Sequence, residues 1–220
     1  MTGTGFSRSP RLVRGGIVLL DPSTGTVVDI IALQYNPDTV NRSFQVQAVG
    51  ETTDRAFPLR LKAPPVETIK VDAELDAADQ LEFPERFPDV AELGIHPQLA
   101  LLESLTYPTV SQLVATDRIA AAGTLEVAPV ESPLTVFVWS ASRIVPVRVT
   151  DLSVTEEAFD PKLNPLRAKV SFGLRVLSVN DVGYKHRAGA LYLAHQRRKE
   201  QLAGRVAAGA FSTLGIGGIP

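Results

Sequence analysis

The sequence predicts an α+β domain that is mainly β, with a short helix packed on the sheet and an amphipathic helix near the C-terminal end. Three observations carry this. Leu134–Trp139 is apolar on both faces, as a strand between two buried neighbours is. From Leu166 to Val176, Ala168, Val170, Phe172 and Leu174 alternate with Arg167, Lys169, Ser171 and Arg175, the period of a strand with one face on the core. Near the end the period becomes helical: Tyr184, Ala188, Leu191, Tyr192 and His195 recur opposite Arg187, Arg197, Arg198 and Lys199.

In chain order, residues 1–14 carry Gly, Ser, Thr and Pro with few large apolar groups and are expected to form a loose arm. Gly16–Leu20 and Val27–Tyr35 are rich in β-branched and aliphatic residues. The turn residues Asp21-Pro22-Ser23-Thr24-Gly25 between them predict a β-hairpin. Asn36-Pro37-Asp38 breaks the strand. Arg42–Val49 resumes it, with Phe44, Val46 and Ala48 expected on the core face and Ser43, Gln45 and Gln47 on the other. Phe57–Lys62 and Val66–Leu75 are expected as two strands separated by Pro64-Pro65. In the second, Ile69, Val71, Ala73 and Leu75 alternate with Thr68, Lys70, Asp72 and Glu74.

Residues 76–98 contain Pro84, Pro88 and Pro97, several acids, and Phe83 and Phe87 as isolated anchors. A long surface connection with a helical turn after Asp76 is expected, and a connection this long is usually functional or an interaction element. Leu99, Leu102 and Leu105 predict a short helix over Gln98–Leu105, and 110–122 is a second helical segment. In Ile144–Thr155, Val145, Val147 and Val149 share one face, but Leu152 and Val154 have the opposite parity. One extra residue flips the side-chain phase, so a β-bulge is expected at Thr150 or Asp151. The tail helix is expected from about Gly183 to Ala203. Gly204, Gly209, Gly215, Gly217 and Gly218 follow it, with Phe211, Leu214 and Ile216 as docking groups. The domain division is thus a 1–14 arm, a 15–180 β domain and a 181–220 docking tail.

The 220 residues suit one large domain, or one domain with a terminal appendage, and 45% apolar with 21% charged residues is ordinary for a globular chain. A net charge of −2 argues against general nucleic-acid binding. The chain has no cysteine, which excludes disulfides, thiolate metal sites and cysteine nucleophiles. No run is apolar and long enough for a signal peptide or a membrane span, so a cytoplasmic protein with no direct membrane anchor is expected. Charge is segregated: from Glu67 to Glu103 ten acids face only Lys70 and Arg86, while from Lys185 to Arg205 six cations face only Glu200. Two solvated surfaces would explain this, as would an acidic edge of one copy meeting a basic edge of another.

Catalytic chemistry finds no support. His96, His186 and His195 lack metal-ligand spacing. Asp72, Glu74, Asp76 and Asp79 invite a paired-carboxylate reading, but no aromatic sugar platform accompanies them. No serine has a Gly-x-Ser-x-Gly setting, and Gly15-Gly16 precedes a strand, so no phosphate loop is present. Glu156 and Glu157 are expected as strand-end charges. No cofactor and no enzymatic activity are expected.

An ordered set of motifs does carry a resemblance. Leu33-Gln34-Tyr35-Asn36-Pro37-Asp38-Thr39-Val40 with Arg42-Ser43 is the first block, and Pro65-Val66-Glu67-Thr68-Ile69 with Leu75-Asp76-Ala77 the second. The third comprises Pro133–Trp139, Pro146-Val147-Arg148-Val149, Glu156–Asp160 and Asn164-Pro165-Leu166-Arg167-Ala168. Over roughly residues 15–180 the chain resembles the tube-like domain of contractile injection systems, the phage-tail-like particles of bacteria, and in particular their hub component. The resemblance implies a tube-protein-like β-sandwich or split barrel. It also implies a ring of six copies at the baseplate, joining the spike protein to the inner-tube protein beside other baseplate proteins. Such a ring would sit in the bacterial cytoplasm within an assembled particle, from which release to the exterior is possible. Hub relatives often continue into a LysM domain; the residues after Leu177 are too few for one.

On this reading Tyr35, Asn36, Pro37, Glu67, Asp72 and Glu74 are candidate subunit-interface residues, with Asp76, Arg148, Phe159, Asn164, Pro165 and Arg167. Arg187, Tyr192, Arg197, Arg198 and Phe211 are candidates for docking a partner layer. An ordinary stacked inner-tube subunit is the close alternative, and a small-ligand-binding β-barrel the more distant one.

Overall fold

The structure is a computed structural model, and it describes residues 13–48, 61–121, 132–207 and 209–219. The expected arm lies almost wholly outside these residues, as does most of the expected strand at Phe57–Lys62. The architecture is mainly β, as the sequence predicts: one seven-stranded antiparallel sheet in the order β2-β1-β5-β6-β7-β4-β3, with helices at its ends. The strands are β1 (Gly16–Leu20), β2 (Val27–Ala32), β3 (Val40–Ala48), β4 (Leu61–Asp76), β5 (Leu134–Ser140), β6 (Arg143–Phe159) and β7 (Pro165–Val176). Strands β2 and β3 are the two edges, yet only residues 33–39 join them. The sheet therefore curls around one core, where Ile31 of β2 shares a cluster with Ile69 of β4 and Phe172 of β7.

The parity reading holds in the middle of the sheet. Val170, Phe172, Leu174 and Val176 of β7 are buried beside Ile69 and Val71 of β4 with Phe137 of β5, while Val136 of β5 packs in a second cluster with Leu20, Leu134 and Ala188. The phase change of β6 is a bulge where it was expected, since the β6–β7 register shifts between Val149 and Asp151. Gly173 of β7 accommodates it: a Cβ there would come 3.0 Å from both Thr150 Oγ1 and Asp151 Cβ. Trp139 is half-buried and stacks on Phe137, ring centroids 6.0 Å apart.

Two strands differ from expectation. Phe44 and Val46 of β3 are 47% and 62% exposed, because β3 lies at the sheet edge, where its apolar face extends past the core. Pro64-Pro65 does not end a strand: β4 runs unbroken from Leu61 to Asp76. Its pairing with β7 begins only at Thr68, so the prolines sit where the strand has one neighbour. A residue with no N–H is tolerated there, and the β3–β4 register shifts opposite to absorb it.

Helices α1 (Ala78–Leu81), α2 (Pro88–Leu93) and α3 (His96–Glu103) occupy the expected connection, with α4 (Val110–Ala121) after them. Of the two expected anchors Phe83 is exposed, while Phe87 packs partly buried against the core beside the buried Val90, Ile95, Leu99 and Leu102. It is tied to the end of the sheet where β4 finishes and β7 begins. Ala77 N–H donates to Leu166 O, and Ile95 N–H to Pro165 O, both at 2.9 Å. Gly94 between α2 and α3 has φ +60, and a Cβ there would overlap the Pro165 carbonyl oxygen.

The opposite end of the strands is covered by α5 (Val179–Val182) and α6 (Arg187–Ala203). A capping box starts α5, formed by Ser178 and Asp181, and the His186 Nδ1 accepts from Ala188 N–H to start α6. Helix α6 begins later than expected because Gly183, φ +80, turns the chain, leaving Tyr184 71% exposed. Ala188, Tyr192 and His195 are buried, so residues 187–203 pack as part of the β domain rather than as a separate tail. The 3-10 turn Phe211–Leu214 beyond it buries nothing.

Candidate functional site

The molecule presents three surfaces that a partner could read: the outer face of β4, β7 and β6, the two sheet edges that are unpaired among the described residues, and the polar cluster where α6 meets β3.

On the outer face, cross-strand partners form rows. Asp76, Arg167 and Glu157 stand side by side, then Glu74, Lys169 and Thr155, then Asp72, Ser171 and Ser153. Acids on β4 and β6 thus flank cations on β7. Arg167 Nη2 lies 2.7 Å from Asp76 and Lys169 Nζ 2.9 Å from Glu157, while Ser171 Oγ donates to Asp72 at 2.6 Å. Donation from the Ala78 N–H holds the Asp76 carboxyl below its usual range against the opposing effect of burial, and Arg167 lowers it further. Exposed pairs of this kind each contribute at most about 1 kcal/mol. The face is polar and ordered without being a main source of stability. A cleft of about 460 Å³ opens on it, bounded by Tyr35, Asp72, Glu74 and Lys169.

The free edges are apolar. On β2, Val27, Val28 and Ile30 are 57%, 57% and 62% exposed; on β3, Phe44 and Val46 are comparably open. Leu33 N–H donates back to Gly15 O, so residues of that parity bond to β1 and Ile30 N–H points away from it. The Asp29 carboxylate accepts the Ile30 N–H at 2.7 Å. Asp29 thus occupies that edge donor, and a strand adding to the exposed apolar edge would displace the carboxylate from it.

Under α6, Glu67 is only 3% exposed. Arg42 Nε donates to its Oε1 at 2.8 Å and Lys199 Nζ to its Oε2 at 3.2 Å. Both cations also lie over the Phe44 ring, 4.9 and 5.5 Å from its centroid. Beside them His195 is buried, and neither ring nitrogen has a hydrogen-bond partner among the described residues. Burial first, then the charge of Lys199, pushes its pKa down to about 4; Glu67 opposes this, while Arg42 and Arg143 reinforce it. The folded state therefore refuses a proton that the unfolded chain accepts near pH 6.5. Stability is expected to fall as pH drops from about 6.5 towards 4, by at most about 3 kcal/mol. The lowered carboxyls of Asp21, Asp76, Asp160 and Asp181 titrate below this window. Denaturant melts of His195→Met across that range should show a flatter profile than the unaltered chain, and an equal slope in both would exclude His195 as the cause.

Several expected interface residues are instead engaged within the chain. Asn36 accepts from Gly15 N–H and donates to Val13 O, both at 2.8 Å, fixing the start of β1. Asn164 donates to Glu92 O at 2.9 Å, and Pro165 is fully buried behind it. Glu67 and Tyr192 belong to the core, and Asp76 and Arg167 pair with each other. The Arg187 guanidinium lies over Gly25 in the β1–β2 turn. Tyr35, Asp72, Glu74 and Arg148 remain exposed, with Pro37 half-buried; Phe159, Arg197, Arg198 and Phe211 are also open.

Sequence reasoning missed Gln34, whose side chain accepts from Asp76 N–H at 2.9 Å and donates to Asp76 O at 2.6 Å, bridging β2 to β4. It also missed the Arg42–Glu67–Lys199 group, since no local spacing joins residues so far apart in the chain. Among the described residues, no group of three His, Asp or Glu side chains is placed to hold a metal, and no helix is long and apolar enough to cross a membrane. No protein-family model matches the chain, and no curated protein matches it.

Proposed function

We propose that the chain is a structural ring component of a contractile injection system, placed at the baseplate between spike and inner tube. The observation that carries this reading is the pair of apolar edges, unpaired among the described residues, on one curled sheet. An edge of one copy meeting the opposite edge of the next is a heterologous contact, and such contacts close into rings when the rotation per copy allows. In a six-copy ring the charged face of β4, β7 and β6 would line the channel, where its polar rows stay hydrated. The motif set shared with tube-like domains supports the same reading, and the tube-protein form of the β fold belongs to it.

The test is to tag the chain in a producing bacterium, purify the particles and locate the tag by electron microscopy. Label at the junction of spike and tube is expected. Particles complete without the chain would overturn the assignment.

A further inference from the structure

At the mouth of the curled sheet, β3, β4, β6 and α6 bring an excess of positive charge to one place. Arg42 of β3 and Lys199 of α6 both pair with the buried Glu67 of β4. Their side chains are 22% and 32% exposed while that of Glu67 is 4% exposed, so the cations reach solvent and the acid does not. Arg143, the first residue of β6, has the parity of the buried Val145 and Val147 and so points to the same side of the sheet. Helix α6 packs on β6, which closes the group.

Arg143 differs from the other two cations. It is half-buried, yet among the described residues it has no hydrogen-bond or ion-pair partner. Burial, then the charge of Arg42, lowers its pKa, and Glu67 is the one acid opposing them. Glu67 is also the one acid acting on His195, against Lys199, Arg42 and Arg143. Three cations thus share one carboxylate, beside a buried imidazole whose two nitrogens are unpartnered. A guanidinium carries a planar fork of N–H donors, and leaving them partly desolvated and unpaired is unfavourable.

We propose that Arg143, flanked by Arg42 and Lys199, forms a binding site for a phosphate group, either free or on a small phosphomonoester. A phosphate carries a charge of about −1.5 to −2 near neutral pH, which matches the local excess, whereas one carboxylate would leave a cation uncompensated. Its oxygens can accept from the Arg143 fork and from cations on two further elements at once. Glu67 fixes the two flanking cations, and Arg143 supplies the unused donors. The site lies within a single copy and needs no assembly, so its test stands apart from that of the ring.

Titration calorimetry with inorganic phosphate, at about pH 7.5 and fixed ionic strength, should show saturable binding. Sulfate should compete and acetate should not. The Arg143 Nε–Hε NMR signal of the unaltered chain should move as phosphate is added. Arg143→Gln should bind at least about tenfold more weakly, having lost hydrogen bonds to a charged group. Without phosphate this variant should melt no lower than the unaltered chain, because it removes a cation from a cluster with too many. With phosphate, the unaltered chain should gain stability and the variant should not. Arg118→Gln, at an exposed position of α4, should behave as the unaltered chain. Glycerol phosphate binding as tightly as inorganic phosphate would assign the site to phosphomonoesters; binding of inorganic phosphate alone would assign it to the free anion. Equal binding by Arg143→Gln overturns the proposal, as does an Arg143 signal that stays still. A gain in stability that acetate reproduces at equal ionic strength is screening, and overturns it too. An Arg143→Gln chain that melts lower without phosphate would show that the guanidinium serves the fold instead.

Discussion

A chain cut after Lys185 is expected to lose cooperative unfolding, with the near-UV signal of Trp139 abolished and no thermal transition. Helix α6 covers one end of the core, and cutting it away removes the buried Tyr192, Ala188 and His195. It also uncovers Leu20, Leu134 and Val136, which form their own cluster with Ala188. Loss of one buried aromatic side chain alone costs about 3–5 kcal/mol, against a total stability of about 5–15 kcal/mol for an ordinary domain. The cut also removes Lys199 from Glu67, leaving that buried carboxylate with Arg42 as its remaining ion-pair partner. By contrast, the described residues that a cut after Gly204 removes are all exposed, and this cut should leave the melting temperature within a few degrees of the full chain. A chain ending at Lys185 that unfolds cooperatively would show that α6 is an appendage.

Ile30→Pro is expected to abolish assembly while leaving the single copy folded. The Ile30 N–H faces away from β1, so proline removes no bond of the β1–β2 ladder. It does remove the edge N–H that Asp29 occupies in the single copy, and its ring obstructs a strand approaching that edge. Melting should shift by no more than about 1 kcal/mol equivalent, since the side chain is 62% exposed. Sedimentation of the variant should give monomers under conditions where the unaltered chain forms rings. Rings of normal size from Ile30→Pro would show that this edge takes no part.

The strands with both neighbours inside the sheet were legible because burial and parity coincide there. The alternation of Leu166–Val176 and the phase change at Thr150 appear in the structure as β7 and the β6 bulge. Strand β3 misled for the same reason in reverse. Phe44 and Val46 alternate as core residues do, but alternation does not distinguish a strand over the core from an edge strand beyond it. Pro64-Pro65 signals a strand end only where both neighbours need the N–H, and β4 has one neighbour at that point. The helical period of the tail identified α6, but its apolar stripe was expected to dock a partner, and Ala188, Tyr192 and His195 instead pack on this chain's own sheet.

The candidate site was less legible, because its contacts join distant segments. Asn36 and Asn164 stand out in sequence as turn residues beside proline. Their side chains prove to fasten β1 and α2, at Gly15 and Glu92. A turn that holds the fold together has the same local signature as one that meets a partner. Glu67 sits at a position of core parity, and burying a charge there requires Arg42 and Lys199, contributed by β3 and α6. Only the acids of α1–α2 and the cations of α6 could be read directly as surface, through their density.

The central claim is that this chain works by joining copies through the β2 and β3 edges. A single-particle reconstruction of the assembled chain, at a resolution that separates strands, tests it most directly. The account predicts a closed ring of six copies in which β2 of one copy pairs with β3 of the next, with Asp72, Glu74 and Lys169 facing the channel. A reconstruction in which those edges remain unpaired, or in which the chain is present as a single copy, would contradict it.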